Sequence, residues 1–460
     1  MDAARLAGLQ VGVATSAYQI EGAVDRDGRG PSIWDIFGAQ PGNIRNGDTG
    51  EHAAAHYDNV DTDIALLEWL GVDVYRFSVA WPRIQPDGIG TANPAGIGFY
   101  DRLVDELLER GITPNATLYH WDLPQALQQL GGWPERDTAE RFAEYALIVG
   151  RVLGDRVPVW ATLNEPWVAA FIGHHTGEHA PGIRDDQAAV AAAHHLLLGH
   201  GLAAQALRTV TTGKVGIVTN PTVVWPASDR AEDIAAARLV DGVRNRWWLD
   251  SVVHGAYPDD VLEVFRTVAD TSCIRDGDLE IISTPLDWLG VNFYTPEQVA
   301  AGGRGGRPIG PGLDGLSHPP LEGKRTTMDW VIKPEALTEL LVRLHADYGP
   351  TEWWITENGA ASADAPAADG AVHDPVRTDY IERHLTAALE ARDRGVPLAG
   401  YLVWSLLDNF EWAEGYEQRF GVIYVDYQTQ ERLPKDSAHW LRALLAARDQ
   451  RDPCDRSPVR

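Results

Sequence analysis

Eight times along the chain a short run of β-branched and aromatic residues is followed by a longer stretch with helical spacing, and this alternation limits the folds open to it. The runs are "LQVGVAT" (9–15), "VDVYRFSVA" (72–80), "ITPNATLYH" (112–120), "VPVWATLNE" (157–165), "GKVGIVTN" (213–220), "LDWLGVNFY" (286–294), "EWWITEN" (352–358) and "LAGYLVWS" (398–405). Several are apolar on both faces, as parallel strands covered on both sides are. Between them "FYDRLVDELLERG", "TAERFAEYALIVGRVLG" and "YIERHLTAALEARDRG" read as amphipathic helices, and Pro334 suits the first turn of another. The expected fold class is therefore α/β, a single closed (β/α)8 barrel with extended loops at the C-terminal face of its strands. A doubly wound open sheet is the rival. It needs a glycine-rich turn after the first strand, and "VATSAYQIEG" is not one. No repeat or linker divides the chain, so residues 1–450 are expected to form one domain, with 451–460 as a frayed tail. Residues 301–325 form the longest irregular segment, read as a surface loop after the sixth strand. Its glycines miss both GxGxxG and the P-loop spacing.

Composition narrows the partners. With 39 basic and 66 acidic residues the formal net charge is −27, which argues against nucleic acid or an anionic membrane surface. Two cysteines, Cys273 and Cys454, make no disulfide framework and no CxxC pair. The N-terminal residues lack the basic start and long apolar core of a signal peptide, and no apolar run reaches the ~18 residues of a membrane span. A cytoplasmic location is the expectation. The sequon at Asn115 lies inside a strand-like run and carries no meaning there. Seventeen tryptophans suit either a large core or a cleft that grips flat apolar or sugar faces, and composition alone does not separate the two.

In such a barrel, functional residues come from the C-terminal ends of strands. The fourth run ends "TLNEP", with Asn164 and Glu165; the seventh ends "ITENG", with Glu357 and Asn358. A carboxylate closing an apolar run is costly unless it has work there. Strands four and seven face each other across a barrel mouth, so both glutamates can enter one cleft. Two carboxyls flanking a cleft are what glycosidic bond cleavage needs, one protonated to serve the leaving oxygen and one ionised at the anomeric carbon. Other strand ends supply His120, Trp121 and Asp122 in "YHWDLP", Asn292 and Tyr294 in "NFY", and Trp404 in "VWS". Gln19 and Glu21 follow the first strand, and "NFEWAEGYEQRFG" follows the eighth. Arg76, deep in the second strand, requires an anion.

These stretches together resemble glycoside hydrolase family 1, the β-glucosidase family, most closely its bacterial members. The resemblance runs from about Leu6 to the helix "SAHWLRALLAARDQ". It implies that Glu165 is the general acid/base and Glu357 the nucleophile of a retaining hydrolase. Gln19, His120, Asn164, Glu411 and Trp412 would hold the hydroxyls of the first sugar, over a floor made by Trp404. Asn292 and Tyr294 would line the same pocket, with Tyr294 and Arg76 supporting the nucleophile, and Trp121 and Phe420 would close its walls. The substrate class implied is small β-glucosides and short cello-oligosaccharides, with β-galactosides or β-fucosides as further substrates. No metal or organic cofactor is implied.

There are departures. Family members usually carry "MGWE" and a tyrosine before the seventh strand, where this chain has "MDWVIKPEAL", a segment bordering the leaving-group side. His174, His175 and His179 in "GHHTGEHAPG" lack metal spacing and are expected to line that side. His52 and His56 read as a structural pair. Three rival functions stand beside the main one. A sugar-binding dead barrel needs one glutamate replaced, and neither is. A 6-phospho-β-glycosidase needs a small residue at Glu411 and a lysine and tyrosine nearby. A transglycosylase differs only in which acceptor meets the intermediate.

Overall fold

The computed structural model describes residues 1–302, 310–349 and 352–451. All eight runs are strands: β1 Gln10–Ala14, β2 Val74–Ser78, β3 Thr113–Tyr119, β4 Val159–Asn164, β5 Lys214–Thr219, β6 Trp288–Asn292, β7 Glu352–Asn358 and β8 Leu398–Trp404. They are parallel and close on themselves, β8 lying against β1 with Gln10 opposite Gly400 and Ala14 opposite Trp404. The open-sheet rival is thereby excluded.

Two cores hold the barrel. Inside it, Ala14, Val74, Ala161, Val218, Trp288, Trp354 and Leu402 fill the interior. Outside, helices such as Pro94–Glu109, Arg136–Leu153, Asp186–Arg208 and Pro375–Asp393 lay apolar stripes on the strands. Strands buried on both faces need apolar residues at every position, and this made them visible in the sequence. Pro334 opens the helix Pro334–Tyr348, where its missing N–H costs nothing. No helix among the described residues is long and apolar enough to cross a membrane. Asn115, the sequon residue, is fully buried in β3.

Two expectations are corrected. The segment 301–325 is not wholly irregular: Leu316–Ser317 pairs antiparallel with Glu297–Ala301, which itself pairs with Val224–Pro226. Strands of two to five residues broken by glycines leave no period to read. Residues 303–309 of that segment, and 452–460 of the expected tail, lie outside the described residues. His52 and His56 are not a pair. The helix begins at His56, whose Nδ1 lies 2.8 Å from Asp63, a carboxylate also held by Arg432.

Candidate active site

The register of the barrel brings the predicted residues to one end. Glu357 stands opposite Asn292, Ala14 opposite Arg76, and Arg76 opposite Asn115. Past these ends the chain turns sharply, and three residues adopt left-handed backbone there: Trp121 (φ 78°), Glu165 (φ 45°) and Trp412 (φ 50°). Such conformations cost on the order of 1–3 kcal/mol each and persist where the surroundings impose them. At Glu165 the backbone is fixed on both sides, its N–H donating to Val218 O and its carbonyl accepting from Val168 N–H, each at 2.9 Å. Gly359 follows Glu357 and Asn358 because nothing larger fits: a Cβ there would lie 1.8 Å from the carbonyl oxygen of Trp404.

One connected network joins the two glutamates. Arg76 is fully buried; its Nη1 donates to Glu357 Oε1 at 2.6 Å and its Nη2 to Asn164 Oδ1 at 2.6 Å. The Tyr294 hydroxyl donates to the other Glu357 oxygen at 2.7 Å. Asn292 Nδ2 donates to Glu165 Oε1 at 2.6 Å and to Asn164 Oδ1 at 3.0 Å, while its own oxygen accepts from Thr356. Glu357 thus accepts hydrogen bonds from a cation and a phenol, whereas Glu165 accepts one from a neutral amide.

The electrostatics follow from those contacts. Burial pushes both carboxyls up, and the Glu357 charge adds to the push on Glu165, which reaches about 8. Arg76 and Tyr294 oppose burial at Glu357, so within the pair the negative charge belongs on Glu357 and the proton on Glu165. Burial first, and the Glu357 charge next, hold the Tyr294 hydroxyl well above its usual range, so it remains a donor.

The expected sugar-holding residues surround this pair. Gln19 Nε2 donates to Asn409 Oδ1 and Phe410 O, both at 3.0 Å, and lies 3.4 Å from Glu411 Oε2. Burial pushes Glu411 up to about 8, with help from the charge of Glu357. Glu411 therefore carries a proton near neutral pH, a consequence of three carboxyls in one mouth that its sequence neighbours do not reveal. His120 is held neutral by burial. Its Nε2 faces the Asn164 amide nitrogen at 3.1 Å and so accepts, which leaves the proton on Nδ1, a buried atom without a partner. The His120 ring lies nearly parallel to Trp404 and Trp412, its centre 5.9 Å from each. Trp121 donates its indole N–H to Asn164 O and packs 4.5 Å from Trp412. Phe420 packs on Tyr294 and on Trp330 of the departing "MDW" segment, 6.1 and 5.9 Å away.

Some candidates lie elsewhere. Glu21 binds Arg83 and Tyr100 and is structural. Asp122 is buried, its carboxyl oxygens have no side-chain partner among the described residues, and burial pushes it up to about 8. His179 packs against Trp34 and Trp121, behind the sugar wall rather than on the leaving-group side, and His175 is tied to Asp186. No group of three metal-ligating side chains occurs among the described residues. One residue near Glu165 was invisible in the sequence. Arg244, from the helical turn Gly242–Arg246, lies over the Trp167 ring at 3.7 Å, and its charge opposes the upward push on Glu165.

Comparison with known proteins gives the family. Residues 7–450 match the model of glycosyl hydrolase family 1, and the chain belongs to that family. It is a glycoside hydrolase. Beta-glucosidase A of Thermotoga maritima is 48% identical over 93% of this chain and 95% of its own length. A bifunctional beta-D-glucosidase/beta-D-fucosidase of Bifidobacterium breve is 45% identical over 95% of this chain and 97% of its own. The solved structure of the Thermotoga maritima beta-glucosidase in complex with glucoimidazole superposes with a TM-score of 0.92 at 45% identity, covering 96% of this chain and 98% of that one.

Proposed function

We propose that this protein is a retaining β-glucosidase, releasing terminal β-D-glucosyl residues from small β-glucosides and short cello-oligosaccharides, with β-fucosides or β-galactosides as further substrates. The observation that carries the reading is the unequal setting of two carboxyls in one mouth: Glu357 hydrogen-bonded between Arg76 and Tyr294, Glu165 hydrogen-bonded to the Asn292 amide. Glu357 attacks the anomeric carbon while Glu165 passes its proton to the departing oxygen. The glycosyl ester that forms carries no charge on Glu357, and that removes one cause of the raised Glu165 pKa. Glu165, now ionised more easily, takes a proton from a water whose oxygen bonds to the anomeric carbon; the bond from that carbon to Glu357 breaks, Glu357 leaves as carboxylate, and the β-configuration returns.

Around the ring, the unpartnered Nδ1–H of His120, the Gln19 amide and the protonated Glu411 offer hydrogen bonds to hydroxyls over the Trp404 face. The names of the relatives, a beta-glucosidase and a beta-glucosidase/beta-fucosidase, support the same sugar class. A 6-phosphate would approach Glu411, and Arg76 already has Glu357. The deciding experiment is an NMR time course of aryl β-glucoside hydrolysis. The β-anomer of glucose should appear first and mutarotate later; the α-anomer as first product would remove Glu357 as nucleophile.

A further inference from the structure

Asn358 follows the nucleophile in sequence, yet its side chain takes no part in the mouth. It is fully buried among Tyr380 and Tyr401, which belong to the core between barrel and helices, so it faces away from the cleft that Glu357 enters. Its Nδ2 donates to Phe293 O at 2.6 Å and to the Tyr380 hydroxyl at 3.2 Å, and its Oδ1 accepts from the Tyr401 hydroxyl at 2.5 Å. Tyr380, on the helix Pro375–Asp393, in turn donates to Tyr294 O at 2.8 Å. The direction of this chain is fixed, because the carbonyls of Phe293 and Tyr294 can only accept. Asn358 must therefore show its amide nitrogen to one and Tyr380 its hydrogen to the other, which leaves Asn358 Oδ1 for Tyr401. Both carbonyls lie past the end of β6, beyond the barrel ladder, where buried backbone groups need partners from elsewhere.

What these two carbonyls carry is the phenol on the nucleophile. The Tyr294 hydroxyl meets Glu357 Oε2 at 2.7 Å, and the Phe293 N–H donates to Glu357 O at 3.0 Å. We propose that Asn358 and Tyr380 are positioning residues, which from the outer face of the barrel hold the main chain of Phe293 and Tyr294 so that the Tyr294 hydroxyl stays on Glu357. This rests on the glycosidase reading above, and neither residue touches the sugar. Misplacing a group in such a site by about 1 Å can cost on the order of 10²-fold in rate. The Tyr294 bond also opposes the burial that pushes Glu357 up, so a displaced phenol lets Glu357 take a proton more readily. Arg76 on β2, Asn292 on β6, Glu165 after β4 and Glu411 after β8 face Glu357 as well. The Tyr380 hydroxyl reaches Tyr294 rather than any of these, so its removal acts on the nucleophile by that route.

The test is a double-mutant cycle, Tyr380→Phe against Tyr294→Phe, read as kcat/KM on 2,4-dinitrophenyl β-glucoside across pH. Phenylalanine keeps the ring stacked on His384 at 3.8 Å and removes only the hydroxyl. In the parent, Tyr380→Phe should lower kcat/KM by about tenfold and move its acid limb to higher pH. In the Tyr294→Phe background the same change should cost less than about twofold and leave the acid limb where it is, since the phenol it acts through is gone. Equal losses in the two backgrounds overturn the proposal, because Tyr380 would then serve the fold alone. An unchanged kcat/KM and acid limb in the parent overturn it too, because the phenol would then be held without Tyr380. If Tyr380→Phe does not fold, Tyr401→Phe, which frees Asn358 Oδ1, is read by the same cycle. Failure of the parent to cleave the substrate at all would count against the glycosidase reading instead.

Discussion

Glu165 and Glu411 show what a working carboxyl costs at the scale of a single residue. In the unfolded chain each titrates near 4.3. In the folded chain burial and neighbouring charge push both up to about 8. Between those values the folded state binds more protons than the unfolded one, so this contribution to stability is present at low pH and is lost as pH rises. Glu165→Gln or Glu411→Gln should therefore raise Tm relative to the parent by more at pH 8 than at pH 5. A gap independent of pH would show that neither carboxyl is held in its neutral form. For activity, Glu165→Ala should lower turnover of poor leaving groups by about 10²–10⁴-fold, with smaller losses on activated aryl glucosides and rescue by azide. Equal losses without rescue would remove it as the proton donor. Glu165 and Arg76 were legible because a charge closing or interrupting an apolar strand is costly without a function there, whereas Glu411, in the loop after β8, was read only through the family resemblance. Arg244 was not legible, because its significance comes from a tertiary approach to Trp167 that no spacing encodes.

Among the elements, legibility followed burial. Strands enclosed by helices must be apolar throughout and announced themselves; the accessory strands Val224–Pro226 and Leu316–Ser317 are held by neighbours rather than by pattern. The loops after β7 and β8 are held by a device no local sequence displays. Arg377 joins Asp364 and Asp374 at 2.6 and 2.5 Å, and Lys435 joins Asp364 and Asp408 at 2.5 and 2.7 Å. Asp408 also takes Arg419 at 2.6 Å and the Gly421 N–H at 3.0 Å. This buried network ties the segment after Glu357 to the one carrying Glu411 and Phe420. Lys435→Met should leave two buried carboxylates undercompensated and cost ~3–5 kcal/mol in urea denaturation. A change below about 1 kcal/mol would mean that water or the arginines satisfy them. Gly359→Ala should also destabilise, by ~1–3 kcal/mol, as the Trp404 carbonyl is forced aside.

For the molecule as a whole, charge acts at two ranges, and a phosphorylated substrate separates them. At long range the net charge of −27 repels any anion approaching the mouth. That field is screened as the Debye length falls from ~30 Å at 0.01 M salt to ~8 Å at 0.15 M. At short range a phosphate would enter a buried mouth whose Arg76 is already paired with Glu357 and whose Glu165 and Glu411 gain charge as pH rises toward 8, and salt reaches that interaction far less. The kcat/KM for an aryl 6-phospho-β-glucoside should therefore rise with salt while that for the unphosphorylated glucoside stays nearly level. The phosphorylated substrate should remain the poorer one at every salt concentration, because the local term persists. Glu411→Ser removes hydrogen bonds to the sugar and, at pH values near 8 where Glu411 ionises, part of that local term, so there it should cost the plain glucoside much more than the phosphorylated one. Faster cleavage of the phosphorylated glucoside by the parent enzyme, at any ionic strength, would mean that the Glu411 side of the pocket has been read with the wrong sign.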